Sequence, residues 1–295
     1  MVRFARAMFS TLSRSWTLTK QSFSVIEKDK EMLLFALIGG VLAIGWIAAM
    51  VASLVTMSMN GHLDLDQLDE PSVLDYVVTF VLYLGLAFIG TFTKVCITYT
   101  TKVRFEGGDA TFGESIKFAL GRLGQIFGWA VVRATFGLLL YALRQLSERL
   151  GAVGKIVTRM IEGVVGGLWE ILTAFVVPAM VYEGAGPIDA FKTSAGLFKK
   201  TWGESLVKQI GFGWIQGLAM FGVTTLGVGL FFLFNQPPLI WLPVGVMILG
   251  YVTVALLFSV ASSVYDTALY VYATQDRAVG FDRETMDGAF GAKVE

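Results

Sequence analysis

The sequence predicts an all-α, polytopic transmembrane helical bundle, with six spans in three hairpin repeats, each preceded by an interfacial amphipathic helix. Three observations carry this expectation. Hydrophobic residues make up 55% of the 295 and charged residues only 16%. A soluble chain commits about a quarter of its residues to charge, so something other than water must solvate much of this one. Mean hydropathy is +0.67, and apolar stretches repeatedly reach the roughly 20 residues that cross a hydrocarbon core. Glycine is abundant at 33 residues and proline scarce at 6, the balance of close-packed membrane helices rather than of a disordered chain.

The first element is residues 1–25. It lacks the continuous apolar core of a signal peptide, because Arg3, Arg6, Arg14 and Lys20 are spread through it. At about 100° per residue, Phe4, Ala5, Met8, Phe9, Leu12 and Trp16 share one arc. Arg3, Arg6, Ser10, Ser13, Arg14 and Thr17 share the other. This is an interfacial helix whose bases Arg3, Arg6, Arg14 and Lys20 face anionic headgroups.

Spans follow at about 33–57, 73–99, 126–143, 163–183, 206–234 and 239–265. The first carries no charge. The second is interrupted only near its ends, by Asp75 and Lys94. The last two are separated by the helix-stopping turn Asn235-Gln-Pro-Pro238. The middle pair is shorter on apolar length, with Arg133 inside the third span and Glu170 and Pro178 inside the fourth. Residues 1–275 thus read as one transmembrane domain and 276–295 as a short cytoplasmic tail.

Orientation comes from lysine and arginine. Segments 1–32, 100–125, 184–208 and 276–295 hold 17 of the 23, whereas 58–72 and 235–238 hold none. Both termini are therefore expected in the cytoplasm. The basic stretch 144–159 (Arg144, Arg149, Lys155, Arg159) opposes this pattern, and a re-entrant hairpin in place of the third and fourth spans would remove the conflict.

The composition excludes several function classes. With 23 basic and 23 acidic residues there is no basic field for nucleic acid. One cysteine, Cys96, and one histidine, His62, leave no disulfide framework, cysteine zinc cluster or histidine-based triad. The run Asp64-Leu-Asp66-Gln-Leu-Asp69-Glu70 lacks the sixth-position glycine and spaced terminal glutamate of a calcium loop. No phosphate-cradling or nucleophile motif appears. We expect no metal, no cofactor and no enzymatic activity.

The cytoplasmic segments resemble one another. Glu106-Gly-Gly is followed by Asp109-Ala110 and Phe112-x-x-Ser115, with Arg122 beyond; Glu183-Gly-Ala-Gly is followed by Asp189-Ala190-Phe191-x-x-Ser194, with Lys199 and Lys200 beyond; Ser22 stands similarly ahead of Lys28 and Lys30. They read as three copies of an interfacial helix plus hairpin, related by an axis along the membrane normal.

The stretch Phe175-Val-Val-Pro178-Ala-Met-Val-Tyr-Glu183-Gly, then Ala190-Phe-Lys-x-Ser194 and Lys200-Thr-Trp202-Gly203-Glu204, resembles uncharacterised bacterial six-span membrane proteins of the domain-of-unknown-function 6159 type. So do Thr267-Ala-Leu-Tyr270-x-Tyr272-Ala273, Gly280-Phe281-Asp282 and the opening Ser22 to Phe35. A looser similarity extends to the membrane domain of some glycerophosphodiester phosphodiesterases, whose catalytic domain has no counterpart here. The resemblance implies a fold and a bacterial inner-membrane location, and supplies no mechanism.

Two intramembrane charges stand out, because a lone charge in lipid costs about 2.5–3.5 kcal/mol even on the lenient insertion scale. Arg133 and Glu170 lie within about 5 Å of one another in depth and are expected to pair, either lining a pathway for a small solute or ion or clasping two helices. Lys94 and Asp266 are expected at the inner mouth, where Lys94 can snorkel to the headgroups. Gly124/Gly128, Gly163/Gly167 and Gly213/Gly217 are small-x-x-x-small pairs suited to helix packing, within one chain or in a homo-oligomer. Two functions follow: a channel- or permease-like pathway through Arg133 and Glu170, or a non-transporting organiser that binds lipid headgroups and protein partners through its interfacial helices. Lipid chemistry by a lone intramembrane acid is a third.

Overall fold

The structure is a computed structural model that describes residues 19–60, 73–148, 151–201, 206–234, 236, 239, 241–281 and 283. Helix α1 covers 19–28. It is followed by α2 (Glu31–Met59), α3 (Val73–Phe105), α4 (Phe112–Leu120), α5 (Leu123–Glu148), α6 (Gly151–Thr173), α7 (Val176–Tyr182), α8 (Pro187–Thr201), α9 (Leu206–Leu233) and α10 (Trp241–Gln275). The described residues form no strand. Six stretches are long and apolar enough to cross a membrane: Glu31–Met59, Val73–Phe105, Leu123–Ser147, Gly154–Tyr182, Ile215–Leu233 and Trp241–Gln275. The chain is an all-α polytopic membrane protein.

The spans outrun the expected boundaries where polar residues extend a helix. α3 runs to Phe105 rather than 99, and α10 to Gln275 rather than 265. The basic stretch 144–159 is largely helical, so Arg144 lies on α5 and Lys155 and Arg159 on α6. Helix α6 begins twelve residues before the expected start of the fourth span at 163, and the span is interrupted between Thr173 and Val176. Pro178 explains the interruption, because it cannot donate to the carbonyl one turn back. Ser194 of α8 takes over the exposed backbone groups: its hydroxyl donates to the Leu172 carbonyl (2.6 Å) and accepts from the Phe175 amide (3.1 Å).

The chain divides into two compact units. One comprises Met1–Ala36, Thr100–Asp109 and Leu197–Glu295; the other comprises Leu37–Tyr99 and Ala110–Gly196. In the first, the C-terminal half of α10 is buried from Val260 to Val271 except at Ser262. Phe23 of α1 meets Phe258 edge-on at 5.7 Å. Arg104, near the end of α3, forks onto the carboxylate of Asp29 in the α1–α2 turn and also donates to Asp109 at 2.7 Å. Asp29 is nearly inaccessible, with 5% of its side chain exposed, so removing Arg104 would strand a buried charge.

In the second unit, Trp46 of α2 fits against Gly85 of α3 and donates to the Leu82 carbonyl (3.2 Å). Tyr83 of α3 lies where a side chain at Gly137 of α5 would stand. Helix α4 opens with a capping box: the Thr111 amide donates to Glu114 Oε2 (2.8 Å) and the Glu114 amide to Thr111 Oγ1 (3.3 Å). The serines at corresponding places in the lead-in segments, Ser22, Ser115 and Ser194, are all fully buried.

Candidate functional site

The α5–α6 hairpin concentrates the intramembrane polarity of the second unit. Phe136 and Trp169 stack at 4.0 Å, and Trp129 and Phe191 add parallel rings 6.0 and 5.9 Å from Trp169. Further along the same seam, Arg144 grips Glu162 with two hydrogen bonds of 3.1 and 3.0 Å. Glu162 and Trp169 are seven residues apart and share a face of α6, at about 20° from each other.

This seam corrects the expected Arg133–Glu170 pair. The two residues match in depth, but Glu170 is about 100° round the helix from Trp169, and Trp169 occupies the place facing α5. Glu170 is exposed and Arg133 half-buried. Among the described residues the ion pair between α5 and α6 is Arg144–Glu162, and the side chains of Arg133 and Glu170 have no ionic or hydrogen-bonding partner. Arg133 shares the inward arc of α5 with Ile126 and Ala130, both at 0% exposure, and with Gly137 against Tyr83.

On α6, Glu170 extends a flank that includes Gly163 and Gly167. Both glycines are exposed, and no described atom lies within 4 Å of the place a Cβ would occupy. Met160 and Val164 beside them are 68% and 71% exposed. Among the six glycines expected to pack helices, only Gly128 meets a described neighbour, the Pro187 ring at 2.8 Å, while Gly124, Gly163, Gly167, Gly213 and Gly217 face open space. Besides Gly128, the helical glycines that admit neighbouring side chains are Gly39, Gly85, Gly137, Gly227 and Gly250, of which only Gly39, four residues before Ala43, has small-x-x-x-small spacing.

The remaining expected residues are distributed as follows. Lys94 lies on α3, and Asp266 is 5% exposed on α10; they fall in different units. Lys20 is exposed on α1, while Arg3, Arg6, Arg14, His62 and the acidic run 64–70 lie outside the described residues. Cys96 is buried in α3. Sequence reasoning missed the Asp29–Arg104 clasp, whose partners are 75 positions apart. It also missed the capping box, although Thr111-x-x-Glu114 is a visible signature.

Six apolar spans define a multi-pass helical membrane protein. Residues 73–281 match the family described as a family of unknown function, DUF6159; the chain belongs to that family. No curated protein matches it.

Proposed function

We propose that the protein is a non-enzymatic membrane organiser that works as a homo-oligomer assembled through the outer flank of α6. One observation carries this reading: Glu170, near the middle of the span Gly154–Tyr182, is exposed and unpartnered beside Gly163 and Gly167. A lone carboxylate facing lipid costs about 2.5–3.5 kcal/mol. A second copy, related by a two-fold axis along the membrane normal, relieves that cost. Gly163 and Gly167 let the two α6 backbones approach, and the facing glutamates share one proton in a hydrogen bond. In this reading both termini are cytoplasmic, supported by the 17 of 23 basic residues on that side.

The test is oxidative cross-linking in native-like bilayers of a C96A chain carrying V164C. The wild-type face should give a species of twice the monomer mass. E170Q keeps an interhelical hydrogen bond and should cross-link normally. E170L should reduce the yield about tenfold, the equivalent of one buried interhelical bond of 1–2 kcal/mol. Equal yields from E170L and the parent would overturn the proposal.

A second reading, a solute or ion pathway, is favoured by Arg133, an inward-lying cation with no carboxylate beside it. It requires ion flux in reconstituted vesicles above that of empty ones, with selectivity altered by R133Q. Vesicles as tight as the empty controls would remove it.

A further inference from the structure

Arg122 sits between α4 and α5, at the polar end of the span Leu123–Ser147, and its guanidinium is fixed on several sides. Its Nη1 donates to Gln125 Oε1 at 3.2 Å, and Gln125 Nε2 donates in turn to the Gly184 carbonyl at 2.7 Å. The guanidinium carbon lies 4.9 Å from the centroid of the Phe118 ring. Phe118 is itself stacked on Tyr99 at 4.2 Å.

Among the described residues no carboxylate pairs with this cation. Among the described residues, Arg104, Arg144 and Arg283 each pair with an acid, whereas the partners of Arg122 are a neutral amide and an aromatic face. A long side chain held in one pose without a counter-charge is preorganised for an anion from outside the chain.

The turn facing it ends α7: Glu183 is right-handed and its amide donates to the Ala179 carbonyl at 2.9 Å, and Gly184 is left-handed (φ +67°), the usual glycine close of a helix. A Cβ at Gly184 would stand 2.9 Å from Arg122 Nη1, so glycine also leaves the guanidinium its room.

We infer that Arg122, positioned by Gln125 and Phe118 and faced by the Gly184 turn, binds a phosphate group at the membrane boundary. The planar fork of arginine matches two phosphate oxygens, and a headgroup phosphate lies at this level of a bilayer. The inference goes beyond the α6 assembly and does not depend on it: E170L should lower cross-linking and leave phosphate binding intact, and R122Q should weaken phosphate binding and leave cross-linking intact.

The test titrates the delipidated protein in neutral detergent with short-chain phosphatidylglycerol, and separately with inorganic phosphate, reading the rise in thermal unfolding midpoint. Half-saturation by phosphatidylglycerol should require about tenfold more lipid in R122Q and a few-fold more in R122K, which keeps the charge and loses the fork. K117Q, on the neighbouring helix α4, should match the parent. If R122Q does not fold, Q125L reads the same site, because it leaves Arg122 present and unanchored and should weaken binding a few-fold. Saturation by inorganic phosphate at lower concentration than by lipid would support the site and assign it to a soluble phosphorylated compound. Binding by R122Q and Q125L within about twofold of the parent would overturn it.

Discussion

The α9–α10 hairpin and the α5–α6 hairpin are both antiparallel pairs of apolar helices, but different forces join them. From Ile215 to Tyr265 the first has no charged residue. Val223 of α9 fits the space above Gly250 of α10, and Met247 fits above Gly227. A polar contact, Thr224 Oγ1 to Tyr251 OH at 2.6 Å, also crosses the seam. In α5–α6 the seam carries stacked rings and the Arg144–Glu162 pair, and Glu170 is left over on the outside. Shape suffices where lipid and side chains are equally apolar, since packing then supplies the association. A hairpin with several charges must match each one, and a charge without an internal partner points to an external one.

Substitution of the ring seam should give the largest effect. W169A removes the common partner of Phe136, Trp129 and Phe191, and should cost about 3–5 kcal/mol, read as a fall in the thermal midpoint of purified protein. A loss below about 1 kcal/mol would mean that the rings do not hold α5 to α6. The dry hairpin should respond next. In G250V the new methyl groups meet Val223 Cγ1, which lies 2.7 Å from the ideal Cβ position, and overpacking of this kind costs about 1–3 kcal/mol. An unchanged midpoint would show that α9 and α10 can move apart freely.

The smallest expected effect lies ahead of α5, at the α4 cap. The Thr111 amide, and then its hydroxyl, hold the Glu114 carboxyl below its ordinary value. A lowered folded-state pKa contributes stability above the unfolded value of about 4.3, and that contribution is lost as pH falls through the folded value. The unfolding midpoint should therefore drop slightly more between about pH 5 and about pH 3 in the parent than in E114Q. Parallel profiles would dismiss the ionised cap.

Much of this architecture was legible in the residues. Apolar length located six spans, but the fourth was expected unbroken over 163–183, although Pro178 within it cannot donate to the carbonyl one turn back. The start of α6 was missed because Lys155 and Arg159 resemble a loop when counted as charges, although an exposed helical turn tolerates both. Depth was also readable, since rise per residue is constant, and Arg133 and Glu170 do lie at similar levels.

What the sequence by itself determined is which segments enter the membrane, because transfer into hydrocarbon depends on local composition and length. The tertiary structure decided which face of each helix meets which neighbour. That choice turns on competition for a seam: Trp169 outranks Glu170 as the partner of α5 because stacked rings fill the space and need no counter-charge. It likewise joins Asp29 to Arg104, and leaves Arg122 facing the Gly184 turn without an acid, because residues 75 and about 60 positions apart become neighbours only once the helices have packed.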